Sequence, residues 1–142
     1  MTGSPNFLLD TNAISEWVKP RPAPGLIAWL ESADEDRIFI SVISLAELHY
    51  GVERLAPGRR RSQLERWVRD ELPLRFESRI LPVDNLVAEA WGRMVARSEA
   101  AGRPMGAMDA FLAATAEIHC LTLVTRNIKD FPLLEAVLNP WK

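Results

Sequence analysis

Four short apolar runs with strand character, at residues 7–9, 38–43, 80–83 and 121–125, are separated by much longer stretches of helical period. That alternation constrains the fold more than any other feature of the chain. A strand that returns beside an earlier one after a helix does so by a right-handed crossover, which makes the pair parallel. Runs this continuously apolar are buried on both faces, so helices must cover both sides of the sheet. The sequence therefore predicts an α/β fold built on a parallel sheet. At 142 residues, 48% of them hydrophobic, the chain suits a single domain over residues 1–142 that buries a core without staples.

The helical stretches have legible limits. In the first crossover, residues 13–18 and 26–33 flank the punctuation Pro20, Pro22 and Pro24. Pro24 suits a helix start, and Trp29 and Leu30 face the core. The second carries residues 45–55, a Pro57-Gly58 break, and an arginine-rich helix through 63–72. In the third, Leu86, Val87, Ala90, Trp91, Met94 and Val95 recur at helical spacing as far as Gly102, a suitable C-terminal cap. A further helix over 109–119 leads into the fourth strand.

In sheets of this kind ligands gather outside the carboxyl ends of the strands, where the strand order reverses. Four acids sit at such ends or one helix away. Phe7-Leu8-Leu9-Asp10-Thr11-Asn12 is an apolar strand that stops at an acid, a costly place for an unpaired carboxylate. Thr11 and Asn12 can cap the following helix unaided, which leaves Asp10 for function. Glu47 falls in the first turn of a helix leaving the second strand. There Ser44 and Glu47 have the spacing of a capping box, so a structural and a functional role are equally open. Asp109 heads a nearly wholly apolar, alanine-rich helix; N-capping would explain it. Ala113, one turn on, offers it no partner, whereas a cation would. Asp130 lies in the polar loop Thr125-Arg126-Asn127-Ile128-Lys129-Asp130, where it either caps a short turn at 131–134 with Asn127 or joins the site. Thr125 or Asn127 can orient a metal-bound water.

Together the acids say more than each does alone. Carboxylates gathered in one site raise each other's pKa unless a cation neutralises them. An oxygen-only set without a Cys or His cluster suits Mg²⁺ or Mn²⁺ and argues against zinc. Phosphodiester hydrolysis is the chemistry such a site serves.

Other classes recede. His49 and His119 have no partner at metal-ligand spacing and read as structural or surface residues. There is no G-x-S-x-G elbow and no glycine-rich phosphate loop. A receiver or aspartate phosphotransferase domain would want a second acid beside Asp10, where Thr11 and Asn12 stand. The net charge of −2 gives no cationic body, so a nucleic acid must be held by local patches. Arg59, Arg60, Arg61, Arg66 and Arg69 offer one patch, unless they merely pair with Glu65, Asp70 and Glu71 on a solvated face. The single cysteine, Cys120, fits a reducing cytoplasm and reads as a small buried apolar residue. The tryptophans read as core, with Trp17 an alternative partner surface. No run is long enough for a signal-peptide core or a membrane span.

The opening L-L-D-T-N, the A-E-L segment ending at Leu48, the D-A-F-L-A-A-T-A helix from Asp109 and the V-T-R-N-x-x-D-F loop from Val124 resemble a PIN-domain protein. More narrowly, they resemble the VapC-type toxins of bacterial toxin–antitoxin pairs, including the FitB-like plasmid-stability branch. The resemblance runs from Phe7 to about Leu138. It implies a five-stranded parallel sheet in a three-layer α/β/α sandwich, a homodimer, and Mg²⁺- or Mn²⁺-dependent cleavage of RNA. It puts the acidic set at Asp10, Glu47 and Asp109, with Asp130 in a more variable fourth place. Asp10 and Asp109 would be the metal ligands, and Thr11, Asn12, Thr125 and Asn127 would support them. Asn127 stands where many PIN domains carry an aspartate, which weakens any second metal site. The resemblance also implies a small antitoxin as partner, and contact with DNA only through it. A housekeeping PIN nuclease of RNA maturation, or a degenerate module that only binds a partner, are the alternatives.

Overall fold

The computed structural model describes residues 5–141. Five parallel strands form one sheet in the order β3-β2-β1-β4-β5. They are β1 (Phe7–Leu9), β2 (Ile38–Ser41), β3 (Ile80–Leu81), β4 (Thr122–Val124) and β5 (Val137–Leu138). Between them run α1 (Thr11–Ser15), α2 (Pro24–Ser32), α3 (Val42–Glu53), α4 (Arg59–Arg66), α5 (Leu72–Phe76), α6 (Asn85–Ala100) and α7 (Ala107–Ile118).

Side-chain alternation along the central strands builds the two outer layers. On β1, Leu9 packs with Ile14, Leu26, Leu72 and Phe76, whereas its neighbour Leu8 packs with Met94, Leu112 and Ala113. On β4, Val124 joins the first group and Leu123 the second. The sheet thus lies between α1, α2 and α5 on one face and α6 and α7 on the other. Trp29 and Leu30 pack against the first core, as their spacing indicates. On the second face, Ala110, Ala113, Ala114 and Ala116 are fully buried or nearly so. An alanine face lets α7 lie close upon its neighbours, and stacking of Trp91 on Phe111 (centroids 5.1 Å apart) locks α6 to it.

Several local assignments shift, each for a physical reason. The second strand ends at Ser41 instead of 43, because the Ser41 hydroxyl accepts from Ile43 N and so starts α3 three residues earlier than Ser44 would. The capping box Ser44–Glu47 therefore does not form. Asp109 is not the cap of α7 either: Gly106 holds that place and Asp109 sits in the first turn. On α1, Asp10 is itself the N-cap, accepting from Thr11 N, so capping and function coincide there. The helix read over 63–72 starts at Arg59, and a wide π-type turn over Trp67–Glu71 leads into α5. Pro73, lacking an N–H and crowding the preceding turn, breaks the regular ladder at that point.

Two helices end alike. Gly102 (φ 70°) closes α6, with Gly102 N bonded to Glu99 O and Arg103 N to Ser98 O. Cys120 (φ 54°) closes α7 through Cys120 N to Glu117 O and Leu121 N to Ala116 O. Both are Schellman closures. Cys120 is thus exposed, not buried, because the left-handed end of a helix projects it outward. Leu86 is also exposed despite its place in the helical pattern. His49 and His119 lie on the surface. Among the described residues no helix is long and apolar enough to cross a membrane.

Candidate active site

The chain leaves β1, builds the sheet to one side through β2 and β3, then returns to place β4 on the other side of β1. The strand order reverses between β1 and β4, so a crevice opens at their carboxyl ends. Asp10 follows β1 and Thr125 follows β4. The ladder continues into the crevice, with Asp10 N donating to Val124 O at 2.9 Å.

Both oxygens of Asp10 are fixed. Thr11 N donates to Oδ1 at 2.6 Å and the buried Thr125 hydroxyl to Oδ2 at 2.7 Å. Asn127 N donates in turn to Thr125 Oγ1 at 3.0 Å. Asn127 thus supports the site through its backbone. The carboxyl is only 6% exposed. Burial pushes its pKa up, the bonds from Thr125 and Thr11 pull it down, and the charges of Glu47 and Asp130 push it up again; the net direction is upward.

Glu47 projects from α3 and is held by the other arm of Thr11. The Thr11 hydroxyl donates to Glu47 Oε1 at 2.6 Å and lies 3.0 Å from Ser44 Oγ. Thr11 therefore ties Asp10 to Glu47, one with its backbone and one with its side chain. The sequence reading placed Thr11 in support but missed this bridging role, and it took Ser44 only for a cap.

Asp109 reaches the crevice from the first turn of α7. The indole of Trp91 donates to Ala107 O at 3.0 Å and fixes that end of the helix. Burial and then the charges of Asp10, Asp130 and Glu47 push the Asp109 carboxyl up to about 6. Asp130 ends the short 3-10 turn Ile128–Asp130, is solvent-exposed, and adds its charge to both Asp10 and Asp109. The short turn falls at Ile128–Asp130, not at 131–134, and the Asn127 side chain does not cap it; backbone Asp130 N bonds to Asn127 O instead. Asp10 and Asp109 each therefore feel the charges of Glu47 and Asp130, and Asp109 that of Asp10 as well.

The donor set is all oxygen. Among the described residues no three His, Cys, Asp or Glu side chains close tightly enough to hold a metal ion by themselves. Mg²⁺ does not need such a cage, since it keeps several waters and takes one or two carboxylates. Asn12, beside Asp10 on α1, leaves a buried Oδ1 without a donor, an acceptor that a hydrated cation would satisfy. The residues present fit a hydrated Mg²⁺ or Mn²⁺.

The Thr125 bond gives a direct test of how Asp10 is aimed. Thr125→Val keeps the shape but removes the donor to Oδ2, leaving the carboxylate free to rotate. Loss of a group that orients a ligand costs roughly 10–100-fold in metal affinity or activity. Calorimetric titration with Mn²⁺ should show weakening in that range, and unchanged affinity would mean Thr125 only fills space.

A PIN domain family model matches residues 7–134 of the chain. Toxin FitB of Neisseria gonorrhoeae is 40% identical over 137 residues, covering 95% of this chain and 98% of that protein. VapC ribonuclease Y4jK of Sinorhizobium fredii is 29% identical over 137 residues, covering 96% and 98%. A solved structure of FitAB bound to an IR36 DNA fragment superposes with a TM-score of 0.88 at 35% identity, over 96% of each chain. With the acids of its crevice carried on that scaffold, the chain belongs to the PIN-domain family, in its VapC-type toxin branch.

Proposed function

We propose that the protein is the toxin of a toxin–antitoxin pair and acts as a divalent-metal-dependent endoribonuclease. The observation that carries this reading is the convergence of Asp10, Glu47, Asp109 and Asp130 at one strand-order reversal, with Asp109 pushed up to about 6 by the others. So much like charge in one crevice calls for a cation. The relatives named toxin FitB and VapC ribonuclease support the same activity.

In this reading Asp10 and Asp109 would hold Mg²⁺ or Mn²⁺. When bound, the ion supplies charge neutralisation at the phosphoryl oxygens and a lowered pKa for the attacking water. Glu47, steadied by Thr11, would help hold the ion or position the nucleophile. Asp130 supports that water or a second ion, and its exposure leaves it free to move with substrate. Thr125, Thr11, Asn12 and the Asn127 backbone hold the acids in place. The protein would work in the cytoplasm, where its RNA substrate lies.

A small antitoxin is the proposed partner, and DNA contact would come through it; a structure of FitAB bound to a DNA fragment is among those this chain resembles. A homodimer belongs to the same reading; Leu74, Leu86 and Met108, all exposed, are apolar surface that such a contact would cover. The test is direct. Purified protein with Mn²⁺ should cleave a labelled structured RNA, and EDTA should stop it. RNA left intact with Mn²⁺, or cleavage that continues in EDTA, would overturn the assignment.

A further inference from the structure

The acids account for the metal, but not for how a polyanion approaches a crevice of the same sign. A buried residue that the catalytic reading does not use organises cations beside the site. Glu16 follows α1 and is 4% exposed, a strongly buried carboxylate in a chain of net charge −2. Its Oε1 accepts from Ala23 N at 2.7 Å, and its Oε2 accepts from the Lys19 ammonium. Burial pushes the Glu16 carboxyl up, but the bonds from Lys19 and Ala23 and the charges of Lys19 and Arg126 outweigh it and hold it below the ordinary carboxylate range. One buried anion therefore holds Lys19 in a direct ion pair and feels the charge of Arg126, and both cations are exposed.

Arg126 adjoins the site by its place in the chain, and Lys19 by a groove. Arg126 directly follows Thr125, the residue bonded to Asp10. Lys19 lines a groove of about 330 Å³ that also holds Thr11 and Glu47. Arg60 lines the same groove and donates to Val18 O at 3.1 Å, which sets its guanidinium beside Lys19. Arg126 and Lys129 line a separate recess of about 360 Å³.

We propose that Lys19, anchored on the buried Glu16, and Arg126, next to Thr125, form a phosphate-holding site for the RNA strand next to the cleaved bond, with Arg60 extending it along the groove. The inference rests on the ribonuclease reading. A long cationic side chain loses rotamer freedom when it grips a ligand; anchoring on Glu16 settles part of that cost beforehand. Because Glu16 is buried and the cations are exposed, it is the cations that face the strand. Lys19 and Arg126 are positioning residues here, distinct from the acids that touch the reacting atoms.

The test uses Lys19→Gln and Arg126→Gln and reads both kinetics and binding. With Mn²⁺ and a single-stranded oligoribonucleotide, each should raise KM about fivefold or more while kcat stays within about twofold. Affinity is also measured by fluorescence anisotropy of the labelled oligonucleotide on the Asp10→Asn protein in EDTA, where nothing is cut. There each substitution should reduce the slope of log affinity against log salt by about 0.7, the value of one phosphate contact on a single strand. A merely structural role would not move that slope. An unchanged KM and slope, or a fall in kcat alone, overturns the proposal. So does a loss of affinity for poly-L-glutamate with RNA affinity intact, which would assign the cations to an acidic protein segment. If the wild-type protein fails to cut RNA, the ribonuclease reading fails by itself, and the anisotropy slopes still decide whether the cations hold a nucleic-acid backbone.

Discussion

Asp10→Asn should lower Mn²⁺-dependent RNA cleavage by more than about 100-fold while leaving the fold intact. The floor follows from comparison: losing a group that merely orients a metal ligand costs 10–100-fold, and Asp10 is proposed as the ligand itself. The substitution is nearly isosteric, and the amide oxygen can still accept from Thr11 N or Thr125. What disappears is charge. In the folded protein that charge is unfavourable without a cation, because burial and the facing Glu47 and Asp130 push the Asp10 pKa up. The metal-free variant should therefore melt no lower than wild type, and Mn²⁺ should raise its melting temperature less. Cleavage within about tenfold of wild type would remove Asp10 from the metal site. A large drop in melting temperature would make it a structural cap instead, since it does cap α1.

The sequence was a good guide to what periodicity controls. The runs that became β1, β2, β3 and β4 are apolar because helices cover both faces of the sheet, and any such sheet demands them. β5 left no comparable signal, since Val137 and Leu138 are only two residues in an irregular segment. Helix starts were harder. Ser41 and Ser44 are both competent caps, and only the tertiary partners of Ser44 and Glu47, both on Thr11, decide between them. The acids stood out because each is an acid in apolar surroundings at a strand end or on a packed helix. Glu16 did not. It lies in the helical stretch 13–18 with no local sign of burial, and its partners Ala23 N–H and Lys19 are brought to it by the way the chain folds back after α1. Trp17, open to either reading, packs at the first core against Phe76 and beneath Arg75.

The arginine-rich segment divides between its two readings. Arg69 pairs with Glu65 and Asp70 on an exposed face, where such pairs contribute little. Arg61 pairs with Glu53. Arg60 alone among these turns toward the groove beside Glu47. The local charge pattern could not separate them, because what distinguishes Arg60 is the Val18 carbonyl across the groove, 42 positions away in sequence.

The acid–acid coupling leads to the other large effect. Asp109 must be ionised to bind a cation, and its carboxyl is pushed up to about 6 in the metal-free protein. Below that pH a proton competes with the metal for the same oxygens, so Mn²⁺ affinity should fall by about tenfold for each pH unit. Above it, affinity should level off. The sign for stability runs the other way. A carboxyl raised from 3.8 to about 6 favours the folded state at acid pH, and that contribution is lost as the pH rises through about 6. Without metal the protein should therefore become less stable as Asp109 ionises against Asp10, Asp130 and Glu47, and saturating Mn²⁺ should reverse the trend. Asp109→Asn separates the proton from the ligand: it should flatten the pH dependence of stability across that window and bind Mn²⁺ weakly at every pH. Calorimetry from about pH 5 to 7.5 reads both curves. A wild-type affinity that ignores pH, or an Asp109→Asn protein that binds as tightly as wild type, would mean that Asp109 is raised by its neighbours without sharing their metal.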